Sequence, residues 1–381
     1  MKVGFVGLGK LGKPCSDVAY EKGHDVTGYD PKVSNLAICR KNLFEAMSDR
    51  EIIFVSVPTP HEDGYGGEAP TSHLAPKDFD YSAVEETLTE LNKFVKKPQL
   101  IVLISTVLPT TNDNKLRDLV TDADYVYSPF FIAQGTVAED FKNPELFIIG
   151  RDFEGGDGSN GGRPNYRPKI LIDFYRSIAE NNPRIQSCNF KEAEMVKMFY
   201  NTYITQKINF VNMIQHAADK MKNADANFVC DVLSKCDNRL MSAKYMKPGL
   251  GDGGSCHPRD NIALSWLTKK LDMTYDYFGN TMIVREKQAE AVAKRVLQDP
   301  SGMVQPLKVA FTSTGFKEGV TNEDGSYILL IQHYIKELGG KVVKINAKAG
   351  CDIVFKSWPS DKTPENIEVF DIWKNYGNDH I

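Results

Sequence analysis

A glycine-rich turn near the start of the chain constrains the fold more than any other feature. The apolar run Lys2–Val6 leads into Gly7-Leu8-Gly9-Lys10-Leu11-Gly12, and a helix-compatible segment then ends at Gly23. A second apolar run, Asp25–Tyr29, is followed by Asp30. In a strand–turn–helix–strand unit the three glycines permit the tight turn, the approach of backbone to a pyrophosphate and the close packing of helix on strand. The stretch therefore predicts a dinucleotide-binding unit.

The acid after the second strand indicates which dinucleotide binds. A carboxylate here can accept hydrogen bonds from the ribose diol of adenosine, and it repels a 2′-phosphate. Asp30 therefore favours NAD over NADP, although Lys32 lies two residues further and weakens this preference.

Further strand-like runs at residues 51–57, 99–105, 125–127 and 146–149 alternate with helical patterns such as 81–94. This alternation predicts a parallel sheet with helices on both faces, and ligands bind at the carboxyl ends of such strands. We expect contacts with NAD from residues that share these positions: Gly7, Leu8, Gly9, Lys10, Leu11, Gly12, Asp30, Lys32, Val57, Pro58, Thr59, Ser105 and Thr106.

The middle of the chain is predicted to be helical because glycine is absent from residue 163 to 248. Residues 191–222 give the clearest helix, and its apolar side chains at helical spacing predict a buried face: Val196, Tyr200, Tyr203, Ile204, Ile208, Val211 and Ile214. A helix of this length has apolar surface to spare, so we expect it to form a homodimer contact.

From residue 306 the pattern returns to strand and helix, with runs at 308–312, 326–337 and 341–345. The fold class is therefore α/β, with an N-terminal Rossmann dinucleotide-binding domain (1–190), a central helical section with the long helix and the cysteine loop described next (191–300), and a short C-terminal Rossmann-like domain (301–381). In the last domain Lys317 follows a strand, where it could meet a phosphate or lie free on the surface.

Residues 248–260 contain the one cysteine set in a glycine-rich loop. Four glycines before Cys256 let backbone N–H groups approach a ligand, and Arg259 and Asp260 follow closely. A thiol acts as a nucleophile only as thiolate, which needs a cationic or N–H-rich surrounding. The pattern predicts a catalytic thiol, although a glycine-rich turn with an incidental cysteine has the same sequence signature.

Lys197 and Asn201 are four residues apart on the long helix and so share a face. A buried lysine beside an amide can hold a substrate oxygen in its alkoxide-like state or exchange its proton. The spacing is equally compatible with an exposed lysine one turn before an outward asparagine.

The composition excludes several classes of protein. A net charge of −4 without a basic block argues against a nucleic-acid partner. The seven cysteines are scattered without paired spacing, which argues against disulfides and against a zinc site, so we predict no metal. The chain enters a strand directly after Met1 and has no apolar run of about 20 residues, so we expect no signal peptide, no membrane span and a cytoplasmic location.

Eight motifs in order resemble those of the UDP-glucose and GDP-mannose dehydrogenases across nearly the whole chain. They are Gly7-x-Gly9-x-x-Gly12, Val57-Pro58-Thr59-Pro60, Ser105-Thr106-Val107, Gly135-Thr136 through Asn143-Pro144, Ala193-Glu194-x-x-Lys197-x-x-x-Asn201, Asp237-x-Arg239, Gly253-Gly254-Ser255-Cys256-x-Pro258-x-Asp260 and Phe316-Lys317. The resemblance implies oxidation of the C6 hydroxyl of a nucleotide sugar, most often UDP-glucose, to a carboxylate with two NAD molecules.

The resemblance also implies roles for individual residues. Lys197, with Asn201 and Asp260, would remove the alcohol proton; Cys256 would capture the aldehyde and carry the thioester; Thr106 would hold the hydrolytic water. Arg239 would reach the sugar nucleotide of a neighbouring subunit. The full set of implied substrate contacts is Phe131, Ile132, Lys197, Asn201, Arg239, Tyr245, Gly249, Gly253, Phe316 and Lys317.

The chain departs from the family pattern at several positions. Phe130 stands where relatives have the glutamate that serves thioester hydrolysis, and Gln134 replaces a second glutamate. Arg259 replaces a lysine, and Asp324 stands where relatives have an arginine that contacts NAD. Phenylalanine cannot accept a proton, so we expect oxidation to the aldehyde or thioester level with slow hydrolysis.

Two other functions fit parts of the sequence. A β-hydroxyacid dehydrogenase has a similar glycine turn and lysine–asparagine helix, but it needs neither Cys256 nor the Phe316-Lys317 motif. A homologue that binds sugar nucleotide and NAD without turnover would also be consistent with Phe130.

Overall fold

The computed structural model describes residues 1–60, 74–75, 77–133, 135–152, 168–221, 223–242, 249–252, 256–345 and 350–373. The chain divides into two compact units, Met1–Thr205 and Gln206–Ile381. The predicted α/β fold class is confirmed, whereas the finer division near residue 300 stays a prediction.

The first unit is built on a seven-stranded sheet in the order β2-β1-β3-β4-β5-β6-β7. Short runs of valine, isoleucine and leucine form its central strands, and they are buried on both faces, as expected for a sheet covered by helices. The strands are β1 Lys2–Val6, β2 Asp25–Tyr29, β3 Ile52–Val55, β4 Leu100–Leu103, β5 Asp124–Tyr127, β6 Leu146–Arg151 and β7 Arg184–Asn189. The first six correspond to predicted strands, and β7 was not predicted.

One strand pair departs from the predicted parallel sheet. β5 and β6 pair antiparallel through Tyr127 and Gly150, whereas the other neighbours in the sheet run parallel. The predicted parallel pairing is confirmed elsewhere in the sheet and fails only at this pair, because the connection between β5 and β6, with only a short helix, returns the chain in the opposite direction.

Helices cover both faces of this sheet, as predicted. Two apolar cores form, one on each face, and Phe5 and Phe54 stack in one of them with ring centroids 5.1 Å apart. The helices are α1 Gly12–Glu21, α2 Leu43–Met47, α3 Ser82–Asn92, α4 Val137–Lys142 and α5 Lys169–Ile178.

The long predicted helix is present as α6, Phe190–Asp219, which has 30 residues and is about 45 Å long. Its predicted buried face is not buried within one chain: Val196, Tyr203, Ile204 and Val211 are 39–51% exposed. That prediction was wrong for the single chain because α6 packs on the sheet unit by its first three turns, where Ala193 and Lys197 are buried and Tyr200 contacts Phe131.

The second unit contains a smaller, four-stranded parallel sheet in the order β11-β10-β8-β9. Its elements are α7 Ala226–Ser234, α8 Cys256–Lys270, α9 Tyr277–Leu297, β8 Lys308–Phe311, α10 Tyr327–Glu337, β9 Lys341–Val343, β10 Ile353–Lys356 and β11 Glu368–Asp371. This arrangement agrees with the predicted C-terminal Rossmann-like domain. Within the described ranges, no helix is both long and apolar enough to cross a membrane.

Candidate functional site

The strand order of the first sheet places its ligand crevice between β1 and β3. β2 pairs with one edge of β1, and the chain then crosses over to β3, which pairs with the other edge. The connections after β1 and β3 therefore lead away in opposite directions and leave a gap at the carboxyl ends of these two strands. The glycine turn follows β1, Ser56 and Val57 follow β3, and Ser105 and Thr106 lie just beyond β4. The topology therefore gathers the motifs that were predicted to contact NAD.

The glycine turn has the geometry that a dinucleotide needs. Gly7 has a φ of +89°, and a Cβ on it would lie 2.8 Å from the Ser56 carbonyl oxygen. A Cβ on Gly12 would lie 1.9 Å from the Gly7 carbonyl oxygen, so no larger residue fits there. The two glycines keep this turn tight at the N-terminus of α1, where backbone N–H groups and the helix dipole favour a pyrophosphate. The residues present therefore fit NAD.

Asp30 lies directly after β2, beside this turn. Its Oδ2 accepts a hydrogen bond from Leu8 N at 2.8 Å, and its Oδ1 accepts one from Lys32 N at 2.8 Å. These two bonds fix the carboxylate next to the turn, where its negative charge disfavours a 2′-phosphate.

A cavity of about 280 Å³ opens at the crevice. It brings together many of the predicted residues, and it adds Ser56, Ile104 and Val137, which were not predicted. Ser56 could have been found, because it directly follows an apolar strand; its hydroxyl donates to the Gly7 carbonyl oxygen at 2.7 Å. The lining residues are Lys10, Leu11, Ser56, Val57, Pro58, Thr59, Ile104, Ser105, Thr106, Phe130, Ile132, Val137 and Lys197.

Lys197 is the buried cation of this cavity. It is only 8% exposed, and its Nζ donates a hydrogen bond to the Phe130 carbonyl oxygen at 2.6 Å. The same Nζ lies 5.3 Å from the centre of the Phe131 ring, a favourable cation–π distance. Burial lowers the pKa of Lys197 below its ordinary value of 10.5, because it disfavours the charged form. The structure thus excludes the exposed-lysine interpretation.

Phe131 is itself held in place from α6. The Tyr200 ring meets it edge-on at 4.9 Å, and the Tyr200 hydroxyl donates to Glu145 Oε2 at 2.7 Å. Burial, aided by this carboxylate, raises the pKa of Tyr200 to about 12. Tyr200 therefore stays neutral and keeps the aromatic wall beside Lys197 in position.

Hydrogen bonds between the strand ends hold the other wall of the cavity. Ser105 Oγ donates to the Val57 carbonyl oxygen at 2.6 Å, and Thr59 Oγ1 donates to the Thr106 carbonyl oxygen at 2.8 Å. Thr106 is therefore fixed through its backbone, which leaves its side chain free to meet a ligand.

Phe130 packs its side chain into the core of the sheet unit. The residue is 5% exposed, and its ring packs among aromatic rings with centroid distances of 5.0–6.5 Å. Its neighbours there are Phe54, Phe141, Phe147 and Tyr175. Phe130 is therefore an anchor of the hydrophobic core.

We expect Phe130→Glu to destabilise the protein without creating a hydrolytic base. A carboxylate in this aromatic cluster loses its hydration with no cation among the packed rings, at a cost of several kcal/mol. Thermal unfolding should show a large fall in melting temperature, while the volume-conserving Phe130→Leu should show a much smaller one. Normal stability together with faster acid release in Phe130→Glu would contradict this description of the site.

Asn201 does not join the lining of the cavity. It lies one turn beyond Lys197 on α6, and it is exposed in the single chain. Arg239, which follows α7 in the second unit, is exposed as well. Their predicted contacts with substrate stay predictions.

Cys256 is the first residue of α8 in the second unit. The side chains of Cys256, Arg259 and Asp260 lie outside the described residues, as do Tyr245, Gly253 and Gln134. The predicted role of Cys256 as a nucleophile stays a prediction.

Residues 249–252 pack tightly on the same unit. Cβ atoms on Gly249 and Gly251 would lie within 2.4 Å of the Trp373 and Tyr327 rings, respectively. Asp252 pairs with Arg285 at 2.5 Å, close to Tyr327. The glycines are needed for this close approach to the aromatic rings.

Phe316 and Lys317 lie in the loop after β8, at the carboxyl edge of the smaller sheet. Phe316 N donates to the Asn322 carbonyl oxygen at 2.9 Å, and a Cβ on Gly315 would lie 1.7 Å from the Val320 carbonyl oxygen. Lys317 is exposed. Chain order places the switch point of this sheet between β8 and β10, so the loop borders the expected ligand crevice.

A dinucleotide-binding sheet with a buried lysine at its switch point defines a protein of the dehydrogenase class. Sequence comparison gives the family. The model of the UDP-glucose/GDP-mannose dehydrogenase family, NAD binding domain, matches residues 34–156, and that of the same family's central domain matches residues 191–286. Together they cover more than half of the chain, which belongs to this family. The predicted cofactor, NAD, is thereby confirmed.

Individual relatives are distant. The UDP-glucose 6-dehydrogenase of Rhizobium meliloti is 26% identical over 376 residues, covering 90% of this chain and 80% of its own. The GDP-mannose 6-dehydrogenase of Pseudomonas aeruginosa is 24% identical over 351 residues, covering 82% and 74%. The crystal structure of a ternary complex of GDP-mannose dehydrogenase from the same bacterium superimposes with a TM-score of 0.78 at 20% identity, over 98% of this chain and 96% of that one. The likeness confirms the fold.

Proposed function

We propose that this protein is an NAD-dependent dehydrogenase that oxidises the C6 hydroxyl of a nucleotide sugar, with UDP-glucose as the first candidate. The observation that carries the proposal is Lys197, buried in the cavity that NAD-binding motifs surround. Relatives of this family are named for UDP-glucose and for GDP-mannose, so the identity of the nucleotide sugar is the part of the proposal that experiment must determine.

The proposed chemistry begins at Lys197. The lowered pKa makes its neutral amine accessible at a lower pH than that of an exposed lysine, so Nζ can take the proton of the C6 hydroxyl or stabilise the alkoxide. Asn201 and Asp260 would assist by hydrogen bonding to the same oxygen. When bound, NAD accepts one hydride in each of the two oxidations.

Cys256 carries the second half of the reaction. Its thiolate would add to the C6 aldehyde and form a thiohemiacetal, so the aldehyde stays on the enzyme. Oxidation of this adduct gives a thioester, and attack by water would release the carboxylate and restore the thiol. Thr106 would hold that water, but the aromatic packing of Phe130 leaves its position without a carboxylate base. We therefore propose slow hydrolysis.

A panel of sugar nucleotides tests this proposal. Incubation with UDP-glucose, GDP-mannose and N-acetylated UDP-sugars should give NADH with at least one of them, and the same ligand should raise the melting temperature. Binding of a sugar nucleotide without formation of NADH would favour a homologue that has lost turnover, the alternative that Phe130 supports. Oxidation of small hydroxyacids that survives Cys256→Ser would favour the β-hydroxyacid dehydrogenase.

We also propose a homodimer through α6. From residue 199 to 211 the described side chains of this helix are exposed, apart from Tyr200, and Phe199, Tyr203 and Phe210 are 40–62% exposed. Apolar surface of this extent on a 30-residue helix is costly in water and is covered by association.

Tyr203→Glu should convert the dimer to a monomer, because a charge at the centre of this surface would be buried without a partner. Sedimentation velocity measures the change. Tyr20→Glu is the matched control, since Tyr20 is 67% exposed on α1 and should leave the dimer intact. A wild-type protein that sediments as a monomer at micromolar concentration would refute the proposed dimer.

A further inference from the structure

Glu194 is a fully buried carboxylate for which the proposed chemistry has no role. It lies on α6 one turn before Lys197, is 0% exposed, and forms no ion pair with a lysine or arginine among the described residues. Burying an ionised group without a cation is costly, and burial raises the pKa of Glu194. An apolar residue would fill this place at lower cost, so the carboxylate requires a specific explanation.

Three N–H donors surround Glu194, and they come from Thr110 and Asn112, where the loop after β4 enters a short helical segment, Asn112–Leu116. Oε2 accepts from Thr110 N at 2.6 Å, while Oε1 accepts from Asn112 N at 2.7 Å and from Asn112 Nδ2 at 2.8 Å. Asn112 is itself fully buried, and its Oδ1 accepts from the Tyr125 hydroxyl. The carboxylate thus offsets its loss of hydration by binding the backbone of a neighbouring loop.

This loop needs an external tether. Thr110 has a φ of +79°, a left-handed conformation that costs a non-glycine residue about 1 kcal/mol or more. The hydrogen bonds from Thr110 N and Asn112 N to Glu194 hold the backbone in that conformation. The same loop continues from β4 through Ser105 and Thr106, which line the cavity.

We propose that Glu194 is a positioning residue: it ties the loop that carries Thr106 to the helix that carries Lys197, and so sets the spacing of these two groups in the cavity. Glu194 and Lys197 share one face of α6, and each binds a different strand-end loop, Glu194 the loop after β4 and Lys197 the loop after β5. Their three-residue separation therefore fixes both loops to one rigid element. This inference rests on the proposed function of the cavity.

Glu194→Gln tests the tether, because the amide keeps the size of the side chain but replaces one acceptor oxygen with a donor. Thr110 N or Asn112 then loses its partner. We expect the rate of the first oxidation to fall about 10²-fold, as for a small misplacement of catalytic groups. The KM for NAD should change by a smaller factor than this rate, because the glycine turn that binds the pyrophosphate is untouched, although Ser105 and Thr106 are expected to contact NAD as well. Glu192→Gln, an exposed glutamate on the same helix, is the control.

Hydrogen exchange gives a readout that does not depend on activity. The peptide spanning residues 105–116 should exchange faster in Glu194→Gln than in the wild type and in Glu192→Gln, while exchange in the β1 peptide stays unchanged. Asn112→Ala removes one of the three hydrogen bonds to Glu194, so it should give a smaller increase in the exchange of the same peptide. This variant replaces Glu194→Gln in the test if Glu194→Gln does not fold.

If the wild type is active and Glu194→Gln oxidises the sugar at the same rate, the inference is overturned. It is also overturned if the rate falls together with the affinity for NAD and hydrogen exchange becomes faster throughout the unit, because that result indicates general destabilisation. A wild type that forms no NADH with any nucleotide sugar would instead reject the proposed function. In that case the exchange of residues 105–116 still decides whether Glu194 is a tether.

Discussion

Lys197→Met should lower the rate of the first oxidation by about 10²–10⁴-fold, the usual contribution of a positioned acid–base group. Methionine fills the space of the lysine stem but has no group that can take or return a proton. The Phe130 carbonyl oxygen also loses its 2.6 Å donor, so some loss of stability is expected, on the order of 1–3 kcal/mol. Stopped-flow formation of NADH measures the rate, and calorimetry measures the stability.

The pH profile should identify the same group. Because burial lowers the pKa of Lys197, the wild-type rate should rise with pH through an apparent pKa below 10.5. At a pH between the pKa of Lys197 in the folded protein and its higher pKa in the unfolded chain, the unfolded chain binds one more proton. This lysine therefore makes the free energy of unfolding increase with pH in that range. Both effects should disappear in Lys197→Met and persist in Lys191→Met, which changes an exposed lysine on the same helix. A Lys197→Met enzyme with near-normal rate and profile would exclude Lys197 as the acid–base group.

Cys256→Ser should abolish the second oxidation. A serine hydroxyl is a far weaker nucleophile than a thiolate, so the aldehyde would not be captured and the NADH formed per sugar should fall from two to one. Mass spectrometry of the wild type should detect a sugar adduct on the peptide with Cys256, and the variant should lack it. Cys236→Ser changes an exposed thiol in the same unit and should behave as wild type. Two NADH per sugar from Cys256→Ser would contradict the covalent mechanism.

The elements that were predictable from sequence have strong local patterns. The glycine turn, the apolar strands β1 to β6 and helix α6 each depend on spacing within a few residues, and each lies close to its predicted position. Lys197 could be proposed because it accompanies Asn201, but its burial follows from packing on Phe131 and on the Phe130 carbonyl oxygen, which come from a distant loop.

Other features depend on contacts that spacing does not reveal. The reversed direction of β6 follows from the path of its connection, and β7, whose sequence RIQSCN is largely polar, gives little apolar signal. The orientation of Phe130 is set by rings on strands and helices far apart in sequence. Glu194 appeared in a motif, but only the three-dimensional structure shows its bonds to Thr110 and Asn112.

The apolar surface of α6 shows a further limit of periodicity. The pattern predicts that a helix has an apolar face, but it does not tell whether the covering partner is the same chain or another copy. Val196, Tyr203 and Val211 follow the predicted spacing, yet they are 39–51% exposed in one chain. Their spacing is therefore as compatible with an intermolecular contact as with a core.

The most direct test of the account is the time course of NADH formation on mixing the enzyme with excess NAD and the sugar nucleotide it accepts. We predict a burst of two NADH per Cys256 thiol followed by slow turnover, because in the proposed mechanism both oxidations precede a hydrolysis for which Phe130 supplies no base. A linear course from the first turnover, at full rate and with two NADH per sugar, would contradict slow hydrolysis. The absence of NADH with every nucleotide sugar would contradict the proposed dehydrogenase itself.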